Sequence, residues 1–120
     1  MTNQTDRPLF SFAHMGVNMP SEEASAALAE QFLTAFGFAV KTGASSNFAG
    51  AEIEIMKRPY LGKNGHIAIG TPDMEAAMEY LTGLGYTFDK ETAKYKDGEM
   101  IAIYLEQDFG GFAVHLLRKG

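Results

Sequence analysis

The chain contains the stretch HMGVNMPS at residues 14–21 and the stretch HIAIGTPD at residues 66–73, which align without a gap. Each stretch is a short alternating apolar run that begins with histidine and ends in proline followed by a helix-capping residue, Ser21 or Asp73. The offset, 66 − 14 = 52 positions, is close to half of the 120 residues and indicates two duplicated structural modules. Because the chain holds only one other histidine, His115, the repeat is also its most informative functional pattern.

In the first half the repeat predicts a strand followed by a helix. Alternation places Phe10, Phe12 and His14 on one face of the strand, together with Gly16 and Asn18. Proline ends the strand, Ser21 begins a helix with two glutamates in its first turn, and Gly37 ends that helix. The remainder is predicted as an extended segment, a turn region and a strand, at 38–42, 43–47 and 52–56.

The second half repeats this plan. A strand at 66–70 precedes a helix that begins at Asp73 and ends at Gly85. Lys96-Asp97-Gly98-Glu99 is typical of a hairpin turn. The extended segments around it are predicted at 86–88, 92–95, 101–106 and 112–117. The sequence therefore predicts an α+β fold of two tandem βαβββ modules, residues 9–58 and 59–120, which share a curved mixed sheet around a cleft. Residues 1–8 are expected to form a disordered leader.

Composition excludes several classes of function. A net charge of −5 with scattered basic residues argues against nucleic acid as a partner. The absence of cysteine excludes disulfides, thiolate metal ligands and a cysteine nucleophile. The apolar runs are too short to span a bilayer, and residues 1–8 lack the apolar core of a signal peptide. We therefore expect a cytoplasmic protein that does not act at a membrane.

A βαβββ unit used twice, with a histidine in each first strand, resembles the vicinal oxygen chelate superfamily of glyoxalases, epimerases, extradiol dioxygenases and bleomycin-resistance proteins. The resemblance implies that four positions on the first and last strands of the two modules converge on one divalent metal. Matched residue by residue, these positions hold His14, Glu54, His66 and His115. His115 stands where the superfamily commonly has a glutamate that serves as a base, so the resemblance leaves the base open.

Three imidazoles and one carboxylate are suitable ligands for Zn²⁺, Ni²⁺, Co²⁺, Mn²⁺ or Fe²⁺. The alternative is that the histidines are core or cleft residues that only make hydrogen bonds. Glu52 and Glu54 lie two apart on one strand face, where a cation would relieve their repulsion, although that face could also be open to solvent. We interpret Glu54 or Glu52 as the proton-abstracting carboxylate.

Other polar residues are weaker candidates. Lys57, Arg58 and Lys63 follow the strand that carries Glu54 and could hold a carboxylate or phosphate of a substrate, or could form a solvated loop. Tyr104 and Glu106 in the penultimate strand could face the cleft. Asn18 could line the cleft or cap its strand.

A narrower similarity joins residues 59–70 and 111–116 to a domain appended to some bacterial aldolases of keto-deoxy-phosphogluconate and keto-hydroxyglutarate. The barrel of such an aldolase exceeds 200 residues, so this chain is not itself a Schiff-base aldolase.

The resemblance implies a metal-dependent lyase or isomerase, similar to glyoxalase I or an epimerase, that abstracts a proton next to a carbonyl of a small oxygenated or keto-acid substrate. Two alternatives are a non-catalytic module that binds a small molecule, or serves aldolase metabolism, and a dimerisation module. Superfamily members are often dimers, so we expect a homodimer. Whether the cleft is built within one chain or between two stays open at this point.

Overall fold

The computed structural model describes residues 7–119, so the first six of the eight residues expected as a leader lie outside the description. The ten elements follow in the order β1 (Ser11–Asn18), α1 (Glu22–Phe36), β2 (Val40–Thr42), β3 (Ser46–Ala49), β4 (Ile53–Met56), β5 (Gly65–Thr71), α2 (Met74–Gly83), β6 (Phe88–Lys96), β7 (Glu99–Phe109) and β8 (Phe112–Arg118). The predicted α+β plan of two βαβββ modules is thus confirmed. None of the helices among these residues is long and apolar enough to cross a membrane.

All eight strands form one mixed sheet in the order β2-β3-β4-β1-β5-β8-β7-β6. Each module contributes four adjacent strands, and the two modules meet where β1 pairs antiparallel with β5. Within the modules, β1 pairs parallel with β4 and β5 pairs parallel with β8. The arrangement is therefore nearly symmetric about the β1–β5 pair, as duplication predicts.

Both helices cover the same face of the sheet, and each packs over its own core cluster. Under α1, the residues Ala29, Ala49 and Ile55 are buried. Under α2, a larger cluster includes Ala77, Ile103 and Leu116. The opposite face carries no helix and presents the side chains that alternate with these core residues.

The helix boundaries follow from the capping residues that the sequence predicted. Ser21 accepts a hydrogen bond from the Ala24 amide at 3.1 Å, and Asp73 accepts one from the Ala76 amide at 3.0 Å. Gly37 adopts a left-handed conformation with φ of 75° and ends α1. The second helix ends slightly earlier than expected, at Gly83, and Gly85 with φ of 101° turns the chain after it.

A β-bulge in β1 corrects one sequence prediction. Phe12 pairs with Ile69, whereas His14 pairs with Ala68, so the extra residue of β1 lies between them. Residues that pair directly point to the same face, and Ile69 packs against the core under α2. Phe12 therefore points to the helix side and His14 to the open side, and the prediction that they share a face was wrong.

The turn region predicted at 43–47 also needs correction, because β3 begins within it at Ser46. Its polar side chains are buried and bonded, which lets them lie in a strand. Ser46 donates to a carboxylate oxygen of Glu54 at 2.7 Å, and Asn47 donates to the hydroxyl of Ser25 at 3.0 Å. In the second half, two predicted extended segments are one strand, β6.

Candidate metal centre

Each of the four central strands carries one of the four predicted ligands on the open face. Glu54 lies on β4, His14 on β1, His66 on β5 and His115 on β8. The structure brings the three histidines together within one chain and places Glu54 beside His14 and His66, with two of the four residues from each module. Sequence reasoning left open whether one chain or two would supply them.

The donor atoms of these residues lie close together. Glu54 Oε1 is 3.0 Å from His66 Nε2 and 3.4 Å from His14 Nε2, and the two imidazole nitrogens are 3.3 Å apart. One ring nitrogen from each of the three histidines falls within 4.8 Å of the others. The side chains of His14 and Glu54 keep 17% and 18% of their surface exposed, so the group is partly open to solvent.

Gly16 makes room for this arrangement. It pairs with His66 across the β1–β5 ladder, and a Cβ atom at position 16 would lie 2.0 Å from His66 Cε1 and 2.3 Å from Nδ1. No side chain can therefore occupy position 16 while the His66 ring stays in place. Sequence reasoning placed Gly16 on the strand face but missed this role, because the clash involves a residue 50 positions away.

Glu54 is held as a carboxylate. Burial by itself would raise its pKa, but hydrogen bonds with His14, His66 and Ser46 outweigh that effect and hold the pKa well below its usual range. The Ser46 hydroxyl binds Oε2, which leaves Oε1 directed at the two histidines. Such a group is anionic at every physiological pH, as a metal ligand must be.

The hydrogen bonds of the two buried histidines fix which nitrogen faces the cluster. His115 Nδ1 lies 3.1 Å from the carbonyl oxygen of Leu116, which can only accept, so Nδ1 carries the proton and Nε2 keeps its lone pair. His66 Nδ1 is buried without a partner among residues 7–119, and Nε2 makes the contacts with Glu54 and His14. A backbone carbonyl on the far nitrogen is the arrangement that typically orients a metal-binding imidazole.

Burial of His115 predicts a specific pH dependence of stability in the metal-free protein. Burial, opposed in part by the hydrogen bond to Leu116, lowers the pKa of His115 from 6.5 to about 4. Between these values the unfolded chain binds more protons than the folded one, so stability falls as pH decreases from 6.5. We expect His115 to make the protein about 2 kcal/mol less stable at pH 5 than at pH 7.

Denaturant unfolding of EDTA-treated protein at the two pH values measures this difference. In His115→Gln the difference should shrink by about the same 2 kcal/mol, since glutamine does not titrate. An unchanged difference in the variant would contradict the burial of a neutral imidazole at this position.

Two tyrosines extend the site along the sheet. Tyr104 on β7 pairs with His115, and the two ring centroids are 4.7 Å apart. Tyr60 approaches Tyr104 edge-on at 6.0 Å. Burial, together with the nearby Tyr60 and Glu54, raises the pKa of Tyr104, so its hydroxyl stays protonated. The sequence had singled out Tyr104 only weakly and had missed Tyr60, which no alternation pattern marks.

A loop at 57–64 crosses one end of the site and is anchored by Asn18. The Asn18 amide donates to the Gly62 carbonyl at 3.0 Å, and its side-chain oxygen accepts from the Tyr60 amide at 3.2 Å. Asn18 thus holds the loop that carries Tyr60, which is more specific than the strand cap or cleft lining that the sequence left open.

The remaining candidates lie away from the histidines. Glu52 is exposed in the turn before β4, and within residues 7–119 its side chain has no hydrogen bond or ion pair with the cluster. Lys63 and Glu106 are likewise exposed. Of the two carboxylates that the sequence nominated, only Glu54 is brought to the histidines.

The open eight-stranded sheet of two βαβββ modules is a glyoxalase-like fold. No family model and no curated protein matches the chain. Similarity is found instead to solved structures. The chain's closer likeness to an aldolase-appended domain remains a prediction.

Three solved structures illustrate the similarity. Methylmalonyl-CoA epimerase from Mycobacterium tuberculosis is 15% identical with a TM-score of 0.63, over 91% of this chain and 87% of that one. A Streptomyces coelicolor methylmalonyl-CoA epimerase variant, in complex with 2-nitronate-propionyl-CoA, is 18% identical with a TM-score of 0.62, over 92% and 94%. A hypothetical protein from Bacillus halodurans is 13% identical with a TM-score of 0.64, over 92% and 95%. At these identities the likeness establishes the fold.

Proposed function

We propose that the chain is a metal-dependent enzyme, a lyase or isomerase similar to glyoxalase I or an epimerase, that abstracts a proton next to a carbonyl of a small oxygenated or keto acid. One divalent ion, Zn²⁺, Ni²⁺, Co²⁺, Mn²⁺ or Fe²⁺, would be held by His14, Glu54, His66 and His115. The observation that carries the proposal is the spacing of the donor atoms.

Donor atoms about 2.1 Å from a common ion lie about 3.0 Å apart at a right angle and about 3.4 Å apart at the tetrahedral angle. The three separations among Glu54 Oε1, His14 Nε2 and His66 Nε2 are 3.0, 3.3 and 3.4 Å. The spacing of these three donors therefore fits ligands that surround one ion, and His115 adds a ring nitrogen within 4.8 Å of those of His14 and His66.

The charge of the ligand set supports an anionic substrate. Three neutral imidazoles and one carboxylate contribute one negative charge, so a divalent ion held there would retain one positive charge. A 2-keto acid would match this charge, since it offers a carboxylate and a neighbouring carbonyl oxygen.

The bound ion would supply charge stabilisation to the enediolate oxygens. The residues of the chain supply proton transfer and hydrogen bonding. Glu54 is the nominated proton acceptor as well as a ligand, with Glu52 as the second candidate. The hydrogen bonds that hold the pKa of Glu54 low keep it in the carboxylate form, which is the form that can accept a proton. Tyr104, whose hydroxyl stays protonated and whose ring lies beside His115, would donate a hydrogen bond to a substrate oxygen.

The solved structures support an epimerase in particular. Besides the two epimerases described above, a further similar structure is a methylmalonyl-CoA epimerase in complex with methylmalonyl-CoA and NH4+. Proton removal next to a carbonyl is the chemistry that such an epimerisation requires.

Metal content is the first test. We expect untagged protein to contain about one divalent transition metal per chain by elemental mass spectrometry, because four donors suffice for one site. His66→Ala should lose it, since two of the three short donor contacts involve His66.

A second measurement separates enzyme from binding module. Incubation of the metal-loaded protein in D₂O with a panel of 2-keto acids, hydroxy acids and hemithioacetals should exchange a proton next to a carbonyl, visible by ¹H NMR. Metal without exchange would favour the non-catalytic binding module. A wild type that neither contains nor accepts Ni²⁺, Zn²⁺ or Mn²⁺ would overturn the proposal and leave the non-catalytic binding module and the dimerisation module. A homodimer also remains part of the proposal.

A further inference from the structure

A cavity of about 390 Å³ lies beside the candidate centre, at the end of β4. It is lined by Glu22, Ser45, Met56, Lys57, Arg58 and Tyr60, among others. Two of these side chains are cationic and one is anionic, so the cavity has a net positive charge in a chain whose total charge is −5. A concentration of positive charge in a concavity attracts anions.

Lys57 lies in the cavity wall, and its ammonium group makes no hydrogen bond within the described residues. Its side chain is only 15% exposed, and its Nζ lies 3.6 Å from Glu22 Oε1, beyond hydrogen-bonding distance. Glu22 is 64% exposed, so water screens its charge and it compensates the ammonium only in part. An ammonium removed from water in this way gains from a further anionic partner.

Arg58 adds the second cation and a planar set of donors. Among residues 7–119 its guanidinium has no hydrogen-bond or ion-pair partner, although Lys57 beside it is paired. Guanidinium binds carboxylate and phosphate with two parallel hydrogen bonds. Arg58 is therefore available for an anion that enters the cavity.

The cavity lies next to the candidate centre along β4. Met56, in the cavity wall, follows Glu54 by two residues on β4 and points to the same face, a distance of about 7 Å. Tyr60 belongs to the cavity wall and contacts Tyr104, the neighbour of His115. One ligand can thus reach both places.

We propose that this cavity is an anion subsite, in which Arg58 and Lys57 bind the phosphate or carboxylate at the far end of the substrate. A chain of about six bonds covers the 7 Å between the two places. The substrate class is then a small acid with a chelating carbonyl at one end and a second anionic group at the other. The assignment of the anion to a substrate rests on the proposed function, whereas the anion site itself does not.

The test titrates inorganic phosphate into EDTA-treated, ¹⁵N-labelled protein at constant ionic strength, so that metal cannot bind the anion. We expect saturable millimolar binding that shifts the amide signals of Ser45, Lys57 and Tyr60. Arg58→Gln should weaken it about tenfold or more, through loss of a charge-assisted bidentate contact. The phosphate affinity of Arg58→Lys should lie between those of wild type and Arg58→Gln, because lysine keeps the charge but lacks the planar guanidinium.

Lys63→Gln is the matched control. It removes the same charge from the same loop, but Lys63 is exposed and does not belong to the cavity wall, so phosphate should bind within about twofold of wild type, as expected for loss of a screened charge. A parallel titration with succinate decides between phosphate and carboxylate as the bound group, since the probe that binds more tightly identifies the preferred anion.

Equal phosphate binding by wild type and Arg58→Gln, or no saturable shift with either probe, would overturn the subsite. Circular dichroism of the variants checks that they fold, which the exposure of Arg58 favours. A metal titration of the same variants is read separately. Failure of the metal site with phosphate binding intact would overturn the proposed function and leave the anion site standing.

Discussion

Gly16→Ala is expected to weaken metal binding about 100-fold, the upper range for disturbance of a ligand's support. The added Cβ would lie 2.0 Å from His66 Cε1, a separation that two non-bonded carbon atoms cannot tolerate, and backbone pairing on both sides of β1 prevents position 16 from moving away. The ring of His66 must therefore leave the cluster. Overpacking should also destabilise the metal-free protein by about 1–3 kcal/mol.

Isothermal titration with Zn²⁺ and denaturant unfolding of the metal-free protein measure the two effects. Gly83→Ala is the control, since position 83 lies in α2 with nothing within 4 Å of a new Cβ. It should leave metal affinity unchanged and stabilise the protein by about 0.5–1 kcal/mol, because alanine is the better helix former. Wild-type metal affinity in Gly16→Ala would show that His66 is not a ligand.

Glu54→Gln is expected to reduce proton exchange from substrate by about 10³-fold or more, since it removes the proposed base, and to release the metal as well. Glutamine retains the shape and can still bond to Ser46, but it has no charge for the ion and no basic oxygen for the proton. The two readouts are ¹H NMR exchange in D₂O and elemental mass spectrometry on the same samples. Full exchange activity in Glu54→Gln would remove this residue from the proposed mechanism.

Glu52→Gln is the companion variant, because it changes the same residue type two positions earlier. Its exposed side chain has no bond to the cluster in the described part of the chain, so we expect metal content and exchange to stay near wild-type levels. Loss of exchange with metal retained would instead identify Glu52 as the base and restrict Glu54 to ligation.

The repeat in the sequence predicted most of the architecture. Two histidine-led strands, two capped helices and the hairpin at Asp97-Gly98 depend on local residue chemistry, which a sequence displays directly. The proximity of the candidate ligands was expected only through resemblance, because no local spacing connects His14 to His115, and their role as ligands stays a prediction. They come close because the strands that carry them, β4, β1, β5 and β8, are adjacent in the folded sheet.

What the sequence did not predict depends on contacts between distant residues. The bulge between Phe12 and His14 reverses a face assignment, and it arises from the register of β1 against β5. Strand β3 resembles a turn because Ser46 and Asn47 are turn-forming residues. Their side chains are instead satisfied by Glu54 and Ser25, from a neighbouring strand and from α1. Such partners are visible only once the chain is folded.

The near-symmetry of the sheet has a consequence for folding. Each half has its own core cluster, and the one strand ladder that the halves share lies between β1 and β5. A metal held by His14 and Glu54 from one half and His66 and His115 from the other would cross-link them over that ladder. The ion would then make the two halves unfold as one cooperative unit, and its removal would allow either half to open first.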